Sequence, residues 1–189
     1  MPSSIGHAIV GATVAWTADL VPGDRRWRVA DPWGVTVACA VLAATPDLDL
    51  LFSVHRTVTH SIGAVFFVGL FAAALAANAG RPIARVALMC AGAYGSHLLM
   101  DWMAVDRFVP YGLQALWPFS RRFYLSGWDV FRQTERRHVF SADAIRMNLL
   151  AVAQEVLLLA PIAVLIYSVR VKALAGLSTE ATRRDHAAQ

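Results

Sequence analysis

The sequence predicts an all-α fold, a polytopic membrane helical bundle of four to five transmembrane helices with an irregular interfacial region. The chain of 189 residues is 57% hydrophobic and 16% charged, and its mean hydropathy is +0.50. Soluble domains average about 45–50% apolar and about 25% charged residues. The apolar residues also form long runs, and tryptophans stand near the ends of these runs, as in an aromatic belt.

Five apolar segments account for the predicted helices: residues 5–21, 33–52, 62–79, 83–104 and 148–169. A spanning helix needs roughly 20 apolar residues, which the last three segments provide. The first segment is shorter and more polar, so an interfacial position stays open for it. Pro46 interrupts the second segment. The stretch before it makes about 20 Å of helix, short of the roughly 30 Å hydrocarbon core, so the turn after it is expected at an interface.

The chain is predicted to form one integral-membrane domain over residues 1–172, with an interfacial loop region at about 105–147 and a polar C-terminal tail at 173–189. Its basic residues fall between apolar runs and do not form one patch. This pattern indicates loops and contacts with membrane lipids and argues against nucleic-acid binding. Cys39 and Cys90 both lie inside apolar runs, which indicates packing residues and no disulfide.

Histidines and aspartates recur at the segment ends that alternating helices would bring to one membrane face. The set is spread over 95 positions: His7, Asp47, Asp49, His55, His60, His97 and Asp101. Ionisable residues in membrane segments are costly and rare without a function. A shared site at one face is therefore predicted.

His97 and Asp101 are four residues apart and share one helix face. Histidine and carboxylate ligands suit zinc, manganese or iron, and Asp49 and His60 would add ligands from the neighbouring turn. A set without thiolates is typical of a catalytic site with an open position, not of a closed structural zinc site. Glu155 is open to three interpretations: a further ligand, an outer-shell base, or a packing contact.

These motifs resemble the YdjM-like family of inner-membrane proteins, which are described as membrane-bound metal-dependent hydrolases. The resemblance covers roughly residues 5–120 and implies an integral protein of the bacterial inner membrane. Its matching parts are His7, Pro46-Asp47-Leu48-Asp49, His55-Arg56-Thr57-Val58-Thr59-His60-Ser61, His97-Leu98-Leu99-Met100-Asp101, Pro110-Tyr111-Gly112 and Leu116-Trp117-Pro118-Phe119.

The order of these residues is also similar to the zinc-dependent phospholipase C and S1/P1 nuclease group, which binds three zinc ions and hydrolyses phosphodiesters. That likeness implies the metal ligands His7, Asp49, His60, His97 and Asp101. The C-terminal half departs from the group, because no later His-x-x-x-His or His-x-x-x-Glu pair completes a trinuclear set. The number of metal ions therefore stays open, and two or fewer are compatible with the sequence.

Together these observations predict a membrane-bound metal-dependent hydrolase acting on a phosphoester or lipid-like substrate at one membrane face. The divalent metal, zinc or alternatively manganese, would lower the pKa of bound water towards about 7. Asp47 or His55 would serve as general base or as an outer-shell orienter. Arg56 would hold a phosphate oxygen, with a lipid-headgroup or loop contact as its alternative role.

The competing prediction is a non-catalytic metal-binding membrane scaffold, a partner-binding protein or a transporter. Transporters usually show paired inverted repeats and sites near the midplane. The sequence has no visible repeat, and its polar residues cluster at one face, so transport is the weakest of these alternatives.

Overall fold

A computed structural model of the chain describes residues 1–21, 32–52, 55–136 and 138–187, and it is helical wherever these residues form regular structure. The five α-helices are α1 (Ser4–Leu20), α2 (Pro32–Ala44), α3 (Ile62–Asn78), α4 (Ile83–Trp102) and α5 (Ala142–Ala187). Two 3₁₀ helices, Thr45–Phe52 and Val58–His60, lie between α2 and α3. The predicted all-α membrane bundle is confirmed.

Three helical stretches are long and apolar enough to cross a membrane within the described part of the chain: Trp33–Leu51, Ile83–Trp102 and Ala142–Gly176. The predicted count of four to five is higher than this. The difference lies in α1 and α3, which have 17 residues each. A helix of that length rises about 25 Å, less than the roughly 30 Å hydrocarbon core.

Helices α1 and α4 form the centre of the bundle. Helix α1 packs against α2, α4 and α5, and α4 packs against α1, α2 and α3. Close approach of α1 and α2 depends on Gly11, where an added Cβ would lie 2.4 Å from the backbone oxygen of Cys39. Small residues at such contacts are the usual means of packing membrane helices. Both cysteines are free, as predicted.

The outer surface of the bundle is apolar. Phe66, Phe67 and Phe71 on α3 are 61–67% exposed, and α5 exposes leucines such as Leu157 at 75%. In water this surface would be unfavourable. In a bilayer it faces lipid tails.

Helix α5 begins at Ala142, before the predicted start at residue 148, because the Ser141 side chain accepts a hydrogen bond from the backbone N–H of Ala144 and caps the helix. It continues to Ala187, beyond the boundary predicted at residue 172. No proline follows that boundary, and alanine, leucine and arginine there favour helix.

The region between α4 and α5 is irregular, as predicted, and lies over the helix ends that carry the polar residues. Two isolated β-bridges, Ala104 with Phe131 and Leu113 with Tyr124, organise it. The backbone N–H of Thr134 donates to the carbonyl of Met1 at 3.1 Å, which ties the region to the start of the chain.

Candidate metal centre

Several of the polar residues predicted to share one membrane face lie close together in the structure. One ligand atom each of Asp47, His60, His97 and Asp101 lies within 4.8 Å of the other three. Asp101 Oδ2 is 3.3 Å from His97 Nε2 and 3.4 Å from His60 Nε2. Asp47 Oδ1 is 3.7 Å from each of these nitrogens. The end of α2, the link before α3 and the end of α4 thus supply one compact donor set.

The rings of His60 and His97 face each other through their Nε2 atoms, which are 3.1 Å apart. His97 Nδ1 lies 2.8 Å from the carbonyl oxygen of Ala43 and must donate to it, because a carbonyl only accepts. His60 Nδ1 lies 3.0 Å from Thr59 Oγ1 and 3.1 Å from Asp49 Oδ2, and it donates likewise, because the Thr59 hydroxyl gives its own hydrogen to Asp49. In neutral rings, two Nε2 lone pairs would therefore point at each other. A cation between them, either a proton or a metal ion, removes that repulsion.

The environment of His60 favours its charged form. Burial alone would lower the pKa of His60, but its hydrogen bonds to Asp47 and Asp49 and the nearby negative charges outweigh burial and raise the pKa to about 9. Protonation of His60 is therefore favoured in the metal-free protein. A metal ion held at Nε2 would take the place of that proton.

Both oxygens of Asp49 are engaged by the short link that follows it. His55 Nδ1 lies 2.7 Å from Oδ1, and Thr59 donates to Oδ2 at 2.5 Å. The backbone N–H of Arg56 donates to Oδ2 at 3.3 Å. His60 Nδ1 completes the set. Asp49 thus fixes the orientation of two imidazoles. One ligand atom each of Asp49, His55 and His60 also lie within 4.8 Å of one another, as the atoms of a metal site would.

His7 and Asp101 carry buried polar atoms without hydrogen bonds. His7 stacks on His97 with ring centroids 3.7 Å apart, and its Nε2 lies 3.5 Å from Asp101 Oδ1. Within the described residues, neither ring nitrogen of His7 and neither carboxylate oxygen of Asp101 has a hydrogen-bond partner. Such atoms are costly to bury. A divalent cation would satisfy one ring nitrogen of His7 and the oxygens of Asp101, so the residues present fit a metal ion.

Glu155, whose role the sequence does not decide, contacts the start of α1. It is fully buried, its Oε1 accepts from the backbone N–H of Ser3 at 2.8 Å, and its Oε2 accepts from the Ser3 hydroxyl. Ser3 in turn caps α1 by accepting from Gly6 N–H at 3.1 Å. Glu155 therefore anchors the first turn of α1, where His7 lies.

Glu155→Ala is expected to lower the free energy of unfolding by about 1–3 kcal/mol, because it leaves the Ser3 donors unsatisfied. It is also expected to reduce metal occupancy through His7. Thermal unfolding and metal content in detergent measure both effects. Glu155→Gln, which can still accept from the Ser3 backbone N–H, is the control. Wild-type behaviour of the alanine variant would show that α1 is positioned without Glu155.

Arg56, predicted to bind substrate, is held by an acidic partner that the sequence did not reveal. Its Nη1 donates to Asp106 Oδ2, and the carbonyl of Pro110 lies 3.3 Å from the same nitrogen. Asp106 also accepts from the backbone N–H of Gly112 at 2.6 Å. Asp106 lies in the irregular region, and no motif around it indicated this contact.

Arg136 is the other functional candidate that sequence reasoning missed. It forms a bidentate pair with Asp47, with Nη1–Oδ1 and Nη2–Oδ2 distances of 3.0 Å and 3.1 Å. The predicted base Asp47 is therefore both a member of the donor set and an arginine partner. His55, the other predicted base, keeps its Nε2 at the edge of the cluster, 2.8 Å from Met1 Sδ.

Membrane-crossing helices with a buried histidine and aspartate cluster at one end define a polytopic membrane protein with a candidate metal centre. The chain matches the YdjM inner membrane protein family over residues 1–177 and belongs to that family. The predicted resemblance and the inner-membrane location are thereby confirmed. No match was found among curated proteins or among solved structures.

Proposed function

We propose that this protein is a membrane-bound metal-dependent hydrolase acting at one membrane face. One observation carries the proposal: four converging donor atoms, from Asp47, His60, His97 and Asp101, lie beside the unpartnered ring of His7. Two imidazoles and two carboxylates without thiolate are a donor set for zinc or manganese at a reactive site.

The ligands we assign are Asp47, His60, His97 and Asp101, with His7 as a further ligand from α1. Asp49 we place one shell further out, because its oxygens already accept from four groups of the adjoining link. A carboxylate that accepts from the distal nitrogen of a ligand histidine fixes the ring and its tautomer. The Ala43 carbonyl plays the same part for His97.

When bound, a divalent metal lowers the pKa of a coordinated water and polarises the scissile bond. The chain's own residues would do the rest. Asp49 holds His55 Nδ1, so His55 Nε2 is the nitrogen that would take a proton from the attacking water, with the Met1 side chain, now 2.8 Å from it, displaced by that water. His55 is better placed for this than Asp47, whose oxygens face Arg136 and the donor set.

Hydrolysis is tested with purified protein in detergent, a chromogenic phosphodiester and phospholipid vesicles as separate substrates. We expect turnover that is lost with a chelator, restored by zinc or manganese, and reduced about 10²–10⁴-fold in His55→Asn at unchanged metal content. Metal-loaded, folded protein without turnover on either substrate class would count against hydrolysis.

Asp49→Ala is expected to weaken metal binding by about 10–100-fold without abolishing it, as for other outer-shell partners of ligand histidines. Metal affinity is measured by competition with a fluorescent chelator. Asp49→Asn, which retains an acceptor for His60, is the matched control and should lose less. Complete loss of metal in both variants would make Asp49 a direct ligand.

A non-catalytic metal-binding scaffold is the second candidate, and one observation favours it. His7, His60 and His97 are fully buried and Asp101 is 3% exposed, so protein atoms enclose most of the donor set. In a scaffold, His55→Asn would leave all properties unchanged, whereas metal removal would lower stability. The turnover assay with His55→Asn therefore separates the two functions.

A further inference from the structure

A cavity of about 400 Å³ opens beside the metal centre. Its lining includes His55, Arg56, Phe108, Pro110, Gln133 and Arg136, and it therefore carries two guanidinium groups and one imidazole. Ligand pockets usually measure about 300–1,000 Å³. This cavity has room for a small head group but not for the acyl chains of a lipid.

Hydrogen bonds to neighbouring protein groups fix the side chains of the two arginines. A carboxylate and two backbone carbonyls of the loop after α4 surround Nη1 of Arg56. Arg136 uses three hydrogen bonds for Asp47 and the Pro2 carbonyl, out of five N–H donors in a guanidinium. Their side chains remain 12% and 26% exposed. Both thus keep donors for a ligand at low cost in side-chain entropy.

The cavity is joined to the metal centre by two residues. Arg136 contacts Asp47, whose Oδ1 lies 3.7 Å from the nitrogens of His60 and His97. His55 lines the cavity, and its ring lies edge-on to His60 at a centroid distance of 5.0 Å. A group held by the two arginines would lie one side chain away from the donor set.

We propose that this cavity binds the phosphate group of the substrate, with Arg56 and Arg136 as its two donors. The inference rests on the proposed function and names its substrate class, a phosphate ester. Two planar guanidinium groups match a tetrahedral anion, which has oxygens for both, better than a carboxylate, which one arginine can saturate. The source is either a lipid head group entering from the bilayer or a water-soluble phosphoester.

The apolar rim of the cavity suits either source at a membrane surface. Val109 and Leu50, which line it, are 78% and 41% exposed. Neither residue contributes a charge, and the guanidinium groups of Arg56 and Arg136 lie in the same lining as the N-terminal amine of Met1. Because Arg136 also pairs with Asp47, metal content has to be measured alongside anion binding when these side chains are substituted.

The test measures binding, not turnover. Inorganic phosphate is titrated by calorimetry into detergent-purified protein, both metal-loaded and metal-free. Arg56→Lys and Arg136→Lys keep the charge beside Asp106 and Asp47 but lose the planar fork, and we expect each to weaken phosphate binding about tenfold or more. Arg122→Lys, an exposed arginine of the same region, is the control and should bind as the wild type does.

Two competitors identify the source. Displacement of phosphate by phosphatidic acid in phosphatidylcholine nanodiscs assigns a lipid head group, and displacement by glycerol 3-phosphate alone assigns a soluble ester. Equal phosphate affinity of wild type and both site variants, at equal metal content, overturns the inference even if hydrolysis occurs. Arginine-dependent phosphate binding without turnover supports it and counts only against the hydrolase.

Discussion

Asp101→Asn is expected to abolish metal binding by the purified protein. Asp101 is 3% exposed, and its oxygens lie 3.3–3.5 Å from nitrogens of His7, His60 and His97. It is the one residue of the donor set that approaches all three rings. Its replacement removes the negative charge that stabilises a cation there, and the loss in affinity should exceed the roughly 10–100-fold typical of outer-shell changes.

The variant is compared with Asp143→Asn, which alters an exposed aspartate in the first turn of α5. Metal content is measured by mass spectrometry after gel filtration, which also reports whether the protein is folded and monodisperse. Full metal occupancy in folded Asp101→Asn would exclude Asp101 as a ligand. The lack of hydrogen bonds to the two buried oxygens of Asp101 would then have no explanation.

Gly11→Ala is expected to destabilise the protein by about 1–3 kcal/mol, the usual cost of overpacking. The new methyl group would lie 2.4 Å from the Cys39 carbonyl and 2.6 Å from Ala43 Cβ, so α1 and α2 must separate. The Ala43 carbonyl orients His97. A shift of α2 should therefore also reduce metal occupancy.

Gly92→Ala is the matched control, since among the described residues its Cβ would meet only Val14, at 3.4 Å, an ordinary contact. Because alanine favours helix over glycine by about 1 kcal/mol, this control should be neutral or slightly stabilising. Thermal unfolding in one detergent measures both variants. Equal stability of the two would contradict the close packing of α1 on α2.

The sequence predicted the helices well where apolar runs end at capping residues or prolines. The start of α3 after the Ser61 cap and the break in α2 at Pro46 both lie where they were expected. The span count was too high because α1 and α3 have only 17 residues each, and α1 also contains polar residues such as Asp19. The start of α5 was missed because its first turns are polar and only the Ser141 cap marks them.

The sequence predicted which histidines and aspartates form the site, but not which of them are ligands and which orient the ligands. Alternating helix directions were enough to bring Asp47, His60, His97 and Asp101 together. The division between ligands and orienting residues depends on side-chain directions within one short link, which a motif does not encode. Arg136 and Asp106 were missed because their partners are 89 and 50 residues away along the chain, in a region without periodicity.

X-ray absorption spectroscopy of the purified wild-type protein, loaded with zinc and washed free of excess, tests the metal centre most directly. We predict at least one tightly held ion per chain and a first shell of nitrogen and oxygen at about 2.0–2.2 Å, with the outer-shell scattering of imidazole rings. Folded protein that retains no zinc, or a first shell containing sulfur from Cys39 or Cys90, would contradict it.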